Sequence, residues 1–129
     1  ATRDRLTRTG AADRVALVRQ SLDDEWPVNG TDLVVLSEVG YYFEPAALRD
    51  VLSRECPRLA SGTTVIAAHW RHPVADYPMS GDEANDVIGR GPQLQRLGRY
   101  RDDDVVIDVL TVGAALSVAQ RTDVPGALA

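Results

Sequence analysis

Two apolar runs constrain this chain most, because they are too short for helices and too continuous for solvent-facing strands: Asp32-Leu33-Val34-Val35-Leu36 and Thr63-Thr64-Val65-Ile66-Ala67-Ala68. A strand buried on both faces reads this way, and such strands belong to parallel sheets covered by helices. Between the two, Pro45 follows Glu44 at a first helical turn, and Leu48, Val51, Leu52, Cys56 and Leu59 recur at helical spacing until Ser61-Gly62 stops them. The pattern predicts a strand, a crossover helix and a second, parallel strand. An earlier run, Val15-Ala16-Leu17-Val18, also reads as a strand, and residues 23–30 form a polar loop around Trp26. Ser80 with Glu83 three residues on gives the capping-box signature of a helix through about Ile88, broken by Gly89, Gly91 and Pro92. Residues 94–100 and 105–112 flank Arg101-Asp102-Asp103-Asp104 as two antiparallel strands around a polar turn. The expected fold class is α/β: a mainly parallel sheet that ends in a carboxyl-terminal antiparallel hairpin.

Charge and residue usage exclude several chemistries. The fourteen basic residues are all arginine, against nineteen acidic ones and a formal net charge of -5. Without lysine, Schiff-base chemistry, lysine general bases and the phosphate-binding P-loop are ruled out. The acidic balance argues against nucleic acid or an anionic membrane as partner, and no apolar run approaches the roughly 20 residues of a membrane helix. Cys56 alone can form neither an internal disulfide nor a thiolate metal cluster, which fits a reducing cytoplasm. A length of 129 residues suits one domain. The charged opening stretch, residues 1–8, nevertheless reads as the tail of a helix begun elsewhere.

In sheets of this kind ligands bind outside the carboxyl ends of the strands. Three such ends are present: Gln20-Ser21-Leu22, Ser37-Glu38-Val39-Gly40-Tyr41-Tyr42 and His69-Trp70-Arg71-His72. Glu38 can accept hydrogen bonds from an ammonium or a ribose hydroxyl, Gly40 permits close backbone approach, and Tyr41 or Tyr42 can cover an apolar ligand face. The plainer alternative makes Glu38 a loop cap and the tyrosines half-buried packing residues. His69 and His72 are candidates for a general base or a substrate-orienting group, with a surface role as the alternative. With Asp76 they could also be read as a metal site, but Pro73 forces an extended or turning chain where a zinc site commonly has a helix. Cys56 falls on the apolar stripe of the first crossover helix and reads as core. Ser37 lacks the glycine-flanked elbow of a serine nucleophile, and Asp102-Asp103-Asp104 reads as a solvated turn. Trp26 and Trp70 read as packing residues, with Trp70 a possible platform because it ends a strand.

The stretch from Asp32 to Tyr42 resembles the fourth strand and following loop of class I S-adenosylmethionine-dependent methyltransferases. The run Ala67-Ala68-His69-Trp70-Arg71-His72-Pro73-Val74-Ala75-Asp76-Tyr77-Pro78, with Ser80-Gly81-Asp82-Glu83, is similar to a bacterial subgroup related to nodulation-type N-methyltransferases. The resemblance implies a Rossmann-like sheet, S-adenosylmethionine as cofactor, and methyl transfer to an amine or hydroxyl of a small-molecule or saccharide-like acceptor. In that family the first strand ends in a glycine-rich loop and the second in an acid that bonds the ribose; neither is in this sequence. Residues 1–8 then resemble the end of the helix after the second strand, residues 15–18 match the third strand, and residues 116–121 resemble a family terminus. The implied unit is one partial domain over residues 1–129, the carboxyl-terminal portion of a methyltransferase, lacking the first two strands and inactive by itself.

By the same resemblance, Ser21 and Leu22 edge the adenine, although an acid commonly stands where Ser21 is. Ser37, Glu38 and Val39 line the cofactor, and Tyr42 with Tyr41 shapes the floor between cofactor and acceptor. His69, Trp70 and His72 face the acceptor, with either histidine as base, and no metal is implied. An open sheet without its first strands exposes an apolar edge, so association with the amino-terminal segment or with another chain is expected. Two rivals stand beside this reading: a non-catalytic binding or scaffold domain with a degenerate methyltransferase fold, and a metal-dependent hydrolase using His69, His72 and Asp76.

Overall fold

The computed structural model describes residues 1–127. Its elements run α1 (Thr2–Arg8), β1 (Leu33–Ser37), α2 (Pro45–Glu55), β2 (Thr64–Trp70), α3 (Gly81–Gly89), β3 (Leu94–Arg101), β4 (Val105–Val112) and α4 (Val118–Arg121), with short 3-10 turns between. The four strands form one mixed sheet in the order β1-β2-β4-β3, in which β1 and β2 are parallel and both pairings of β4 are antiparallel. A parallel pair needs a long crossover, and α2 supplies it. Pro45 at its start needs no backbone partner, and Pro57 tightens its end into a 3-10 turn over Cys56–Arg58. Helix α3 begins with the expected capping box, Ser80 Oγ accepting from Glu83 N at 3.1 Å and Glu83 Oε2 from Ser80 N at 2.8 Å.

The sheet's two faces differ. Val65, Ala67 and His69 of β2 alternate inward with Val106, Asp108 and Leu110 of β4, all 0–2% exposed beneath α2 and α3. Leu48, Val51, Leu52, Ala84 and Ile88 from the helices complete that core, and Cys56 joins it, its thiol pushed up to about 11 by burial. On the opposite face Leu33, Val35 and Trp70 are 45–55% exposed.

One expected strand is not formed. Residues 15–18 pair with no other strand among the described residues, and Val15, Leu17 and Val18 are exposed. An apolar groove of about 500 Å³, lined by Leu17, Val18, Leu22, Trp26 and Leu36 among others, separates this run from β1. A ladder needs a neighbour about 4.8 Å away, and none of the described residues lies there. The parallel part of the sheet is therefore β1 and β2 alone. The Trp26 loop is anchored instead by buried Glu55, whose carboxylate accepts from Trp26 N, Arg54 and Arg58. Burial alone would raise that carboxyl, but these donors hold it below its ordinary range.

Candidate functional site

The residues singled out after the two apolar runs meet where β1 and β2 end. Glu38 has a backbone φ of 57°, and its N–H donates to Ala68 O at 2.9 Å, carrying the β1–β2 ladder one residue further. A non-glycine residue in this left-handed region costs about 1–2 kcal/mol. Both carboxylate oxygens hold it there: Oε1 accepts from Trp70 N at 2.8 Å, and Oε2 accepts from the Tyr41 hydroxyl. The Glu38 carboxylate thus fixes the loop through both oxygens while the residue itself stays exposed.

Tyr41 and Tyr42 separate. Tyr41 is buried, stacked on Tyr77 at 4.7 Å and edge-on to His69 at 5.1 Å. Burial first and the Glu38 bond second push its phenol well above the ordinary range, so it is a donor and not a titrating group. Tyr42 is 57% exposed and its hydroxyl lies 3.1 Å from that of Tyr77. Ser37 is exposed and Val39 half-buried beside it. Ser21 and Leu22 lie on the other side of the groove: the Ser21 hydroxyl accepts from Asp23 N at 3.3 Å, and Leu22 packs on the core while its carbonyl accepts from Trp26 Nε1.

The two histidines also part company. Pairing with β4 continues to Trp70 opposite Val105, so β2 is longer than its apolar run and His69 falls on the inward parity. It is fully buried. Gly40 N–H donates to Nε2 at 2.9 Å, which makes Nδ1 the protonated nitrogen, and that donates to Asn85 Oδ1 at 2.6 Å. Burial lowers its pKa. With neither nitrogen free, the expectation that His69 serves as a cleft-facing base is corrected: it is a positioning residue under the Gly40 loop. Glycines make room for its ring, since a Cβ on Gly40 would stand 3.0 Å from Nε2, and one on Gly81 would strike the Trp70 carbonyl oxygen.

His72 is exposed, beside Trp70 with ring centroids 4.6 Å apart, and its Nε2 lies 2.7 Å from Asp104 Oδ1. A carboxylate can only accept here, so Nε2 carries a proton, and in the neutral ring Nδ1 is then the nitrogen with the lone pair. The turn supplying Asp104 is held by Asp102 Oδ1, which accepts from the N–H groups of Asp104 and Val105. Arg71 ties the same turn to α3 through Asp82, at 2.9 and 3.1 Å. Among the described residues no group of three or more His, Cys, Asp or Glu side chains could hold a metal ion, and no helix is long and apolar enough to cross a membrane.

A buried polar chain unforeseen in the sequence supports this loop. Asn85 Nδ2 donates to Ala67 O at 3.2 Å and to Asp108 Oδ2 at 3.0 Å, and Arg99 grips Asp108 bidentately at 2.7 and 2.8 Å. Gly40, His69, Asn85, Asp108 and Arg99 therefore form one continuous hydrogen-bonded path from the site loop to the far side of α3. Asp108 stands alone as a charge in the run 105–112, and Arg99 sits across the hairpin from it; that pair was the available signal.

No family model matches the sequence, and no curated protein matches it. Solved structures do. An O-methyltransferase family protein from Burkholderia thailandensis superposes with a TM-score of 0.66 at 13% identity, over 88% of this chain and 40% of its own. An O-methyltransferase from neocarzinostatin biosynthesis, in complex with S-adenosyl-L-homocysteine and 1,4-dihydroxy-2-naphthoic acid, gives 0.65 at 19%, over 86% and 38%. The N-methyltransferase NodS from Bradyrhizobium japonicum WM9, in complex with S-adenosyl-L-homocysteine, gives 0.62 at 16%, over 82% and 62%. The chain thus spans about 40% of the length of the first two. At these identities the likeness is one of architecture: the four-stranded mixed sheet superposes on part of the fold of these methyltransferases.

Proposed function

We propose that this chain forms the acceptor-side part of an S-adenosylmethionine-dependent methyltransferase acting on an amine or hydroxyl of a small-molecule or saccharide-like acceptor. The observation that carries the reading is the His72–Asp104 pair beside Trp70 just past the carboxyl end of β2, with the exposed Tyr42 in the loop after β1, on a fold shared with methyltransferases. Two of those neighbours were solved with S-adenosyl-L-homocysteine. The residues present fit one wall of such a cofactor site in their chemistry: the exposed Ser37, the half-buried Val39 and the exposed Tyr42 lie along the end of β1 and the loop after it. Leu22 offers an apolar edge across the groove. Glu38 serves that wall indirectly, by fixing the loop.

S-adenosylmethionine, when bound, supplies an electrophilic methyl group with a good leaving group already attached. The protein's task is then alignment and exclusion of water, which in the best intramolecular cases lowers a barrier by about 7–11 kcal/mol. Trp70 and Tyr42 offer flat apolar surfaces to an acceptor. Asp104 orients His72 so that Nδ1 can take the acceptor's proton, a role worth typically 10²–10⁴-fold. His69 and Asn85 hold the Gly40 loop in register beneath them.

Calorimetric titration of S-adenosyl-L-homocysteine into the full-length protein tests the cofactor half, and saturable binding is expected. No binding, in a protein that unfolds cooperatively, would leave the scaffold-domain reading in its place.

A further inference from the structure

We infer that the cavity between α3 and β3 binds a small oxyanion of the phosphate type. This cavity, about 400 Å³, is lined by Asn85, Asp86, Gly89, Arg90, Arg96 and Arg99, none of which belongs to the site at the carboxyl ends of β1 and β2. Its construction depends on an irregularity in β3. In a regular strand, residues three apart face opposite sides of the sheet. Here the register shifts between Arg96 and Gly98, so that Arg96 stands opposite Leu110 and Arg99 opposite Asp108. Leu110 and Asp108 both face the helices, and directly opposed residues share a face. The bulge therefore turns both arginines toward α3, where Arg90 caps the helix's carboxyl end.

Charge then leaves the cavity short of an anion. Arg99 consumes Asp108 with a two-pronged contact and lies 3.3 Å from Asp86. Arg96 comes no nearer than 3.9 Å to Asp108, and Arg90 makes no ion pair among the described residues. Three arginines thus line one space with one carboxylate, Asp86, while Asp108 is already gripped by Arg99. The carboxyl end of α3 and Asp86 place negative charge on one wall, so the anion is taken through the Arg90 and Arg96 forks and the outer edge of Arg99. Planar guanidinium forks match the oxygens of a phosphate and form strong charge-assisted bonds with them. Asn85, fully buried and bonded to His69, Ala67 and Asp108, gives the cavity a floor that cannot swing in to fill it.

The test is titration of the full-length protein with inorganic phosphate, against sodium chloride at matched ionic strength, followed by calorimetry and by arginine side-chain NMR shifts. Saturable binding is expected from phosphate alone. R90Q and R96Q should each weaken it roughly tenfold, the loss expected for a hydrogen bond to a charged group. Melting curves for both variants check the fold; Arg90→Lys and Arg96→Lys, which keep charge and stem but lose the fork, give an independent reading and should weaken binding by less. A parallel titration with phenyl phosphate separates the two sources of such a group: tighter binding than phosphate identifies a phosphomonoester, equal binding the free ion. Equal responses to phosphate and chloride, or phosphate binding that the folded R90Q and R96Q variants leave unchanged, would overturn the assignment.

Discussion

His69 is fully buried with both ring nitrogens bonded to the protein, whereas His72, three residues on, is exposed with one nitrogen on Asp104. The same side chain therefore does two jobs, and what separates them is where β2 stops. Strand parity sends residue 69 under the helices, while His72 lies beyond the end of β2, against a turn rich in carboxylates. One environment uses imidazole as a fixed connector bonded at both nitrogens; the other leaves Nδ1 without a hydrogen-bond partner among the described residues. Stability should follow the first neighbourhood and activity the second.

The strongest way to break this contrast is to cut the buried path at its charged end. Asp108→Ala leaves Arg99 only Asp86 at 3.3 Å and removes an acceptor from buried Asn85, so unfolding free energy should fall by roughly 2–3 kcal/mol; urea titration measures it. A loss below about 1 kcal/mol would mean the path is not a support. On the other side, His72→Ala in the full-length protein should lower methyl transfer roughly 10²-fold while moving the urea midpoint little, since the residue is exposed. Kinetics beside denaturation decide this, and an unchanged rate across pH removes His72 from catalysis. Ser80→Ala removes the cap of α3, the helix that presents Asn85 to His69, and should cost about 1 kcal/mol in the same assay. A gentler effect is a slope with pH. Burial holds the folded pKa of His69 below its ordinary value, so the unfolded chain binds the extra proton. Stability should be level above about pH 6.5, fall as the pH drops below it, and lose that component of the slope in His69→Gln.

The regular elements were legible because each carries its own local period. The run 32–36, the helical spacing from Leu48 to Leu59, the Ser80–Glu83 box and the hairpin around Asp102-Asp103-Asp104 all depend on neighbours in sequence. Residues 15–18 carry an equally good local signal and still form no strand, because a strand exists only against a partner. The site was legible as a place, at the ends of β1 and β2, but not as a division of labour. That Tyr41 is buried follows from Tyr77, thirty-six residues away, stacking on it. That the Glu38 carboxylate bends back onto the chain follows from the N–H of Trp70. Asn85 and Glu55 were hidden differently: each sits on the apolar face of its helix, where a period count treats a polar residue as noise and the structure makes it a junction.

The two glycines that bracket His69 have a consequence for how such a sequence can drift. Gly40 and Gly81 lie 41 positions apart, yet a single methyl group at the first meets the ring of His69 and at the second meets the backbone of Trp70. A side chain at 40 needs the ring of His69 to give way, and one at 81 needs the backbone itself to move. Positions 40 and 69 should therefore change together, a relative with a larger residue at 40 carrying a smaller one at 69, whereas position 81 should stay glycine whatever stands at 69.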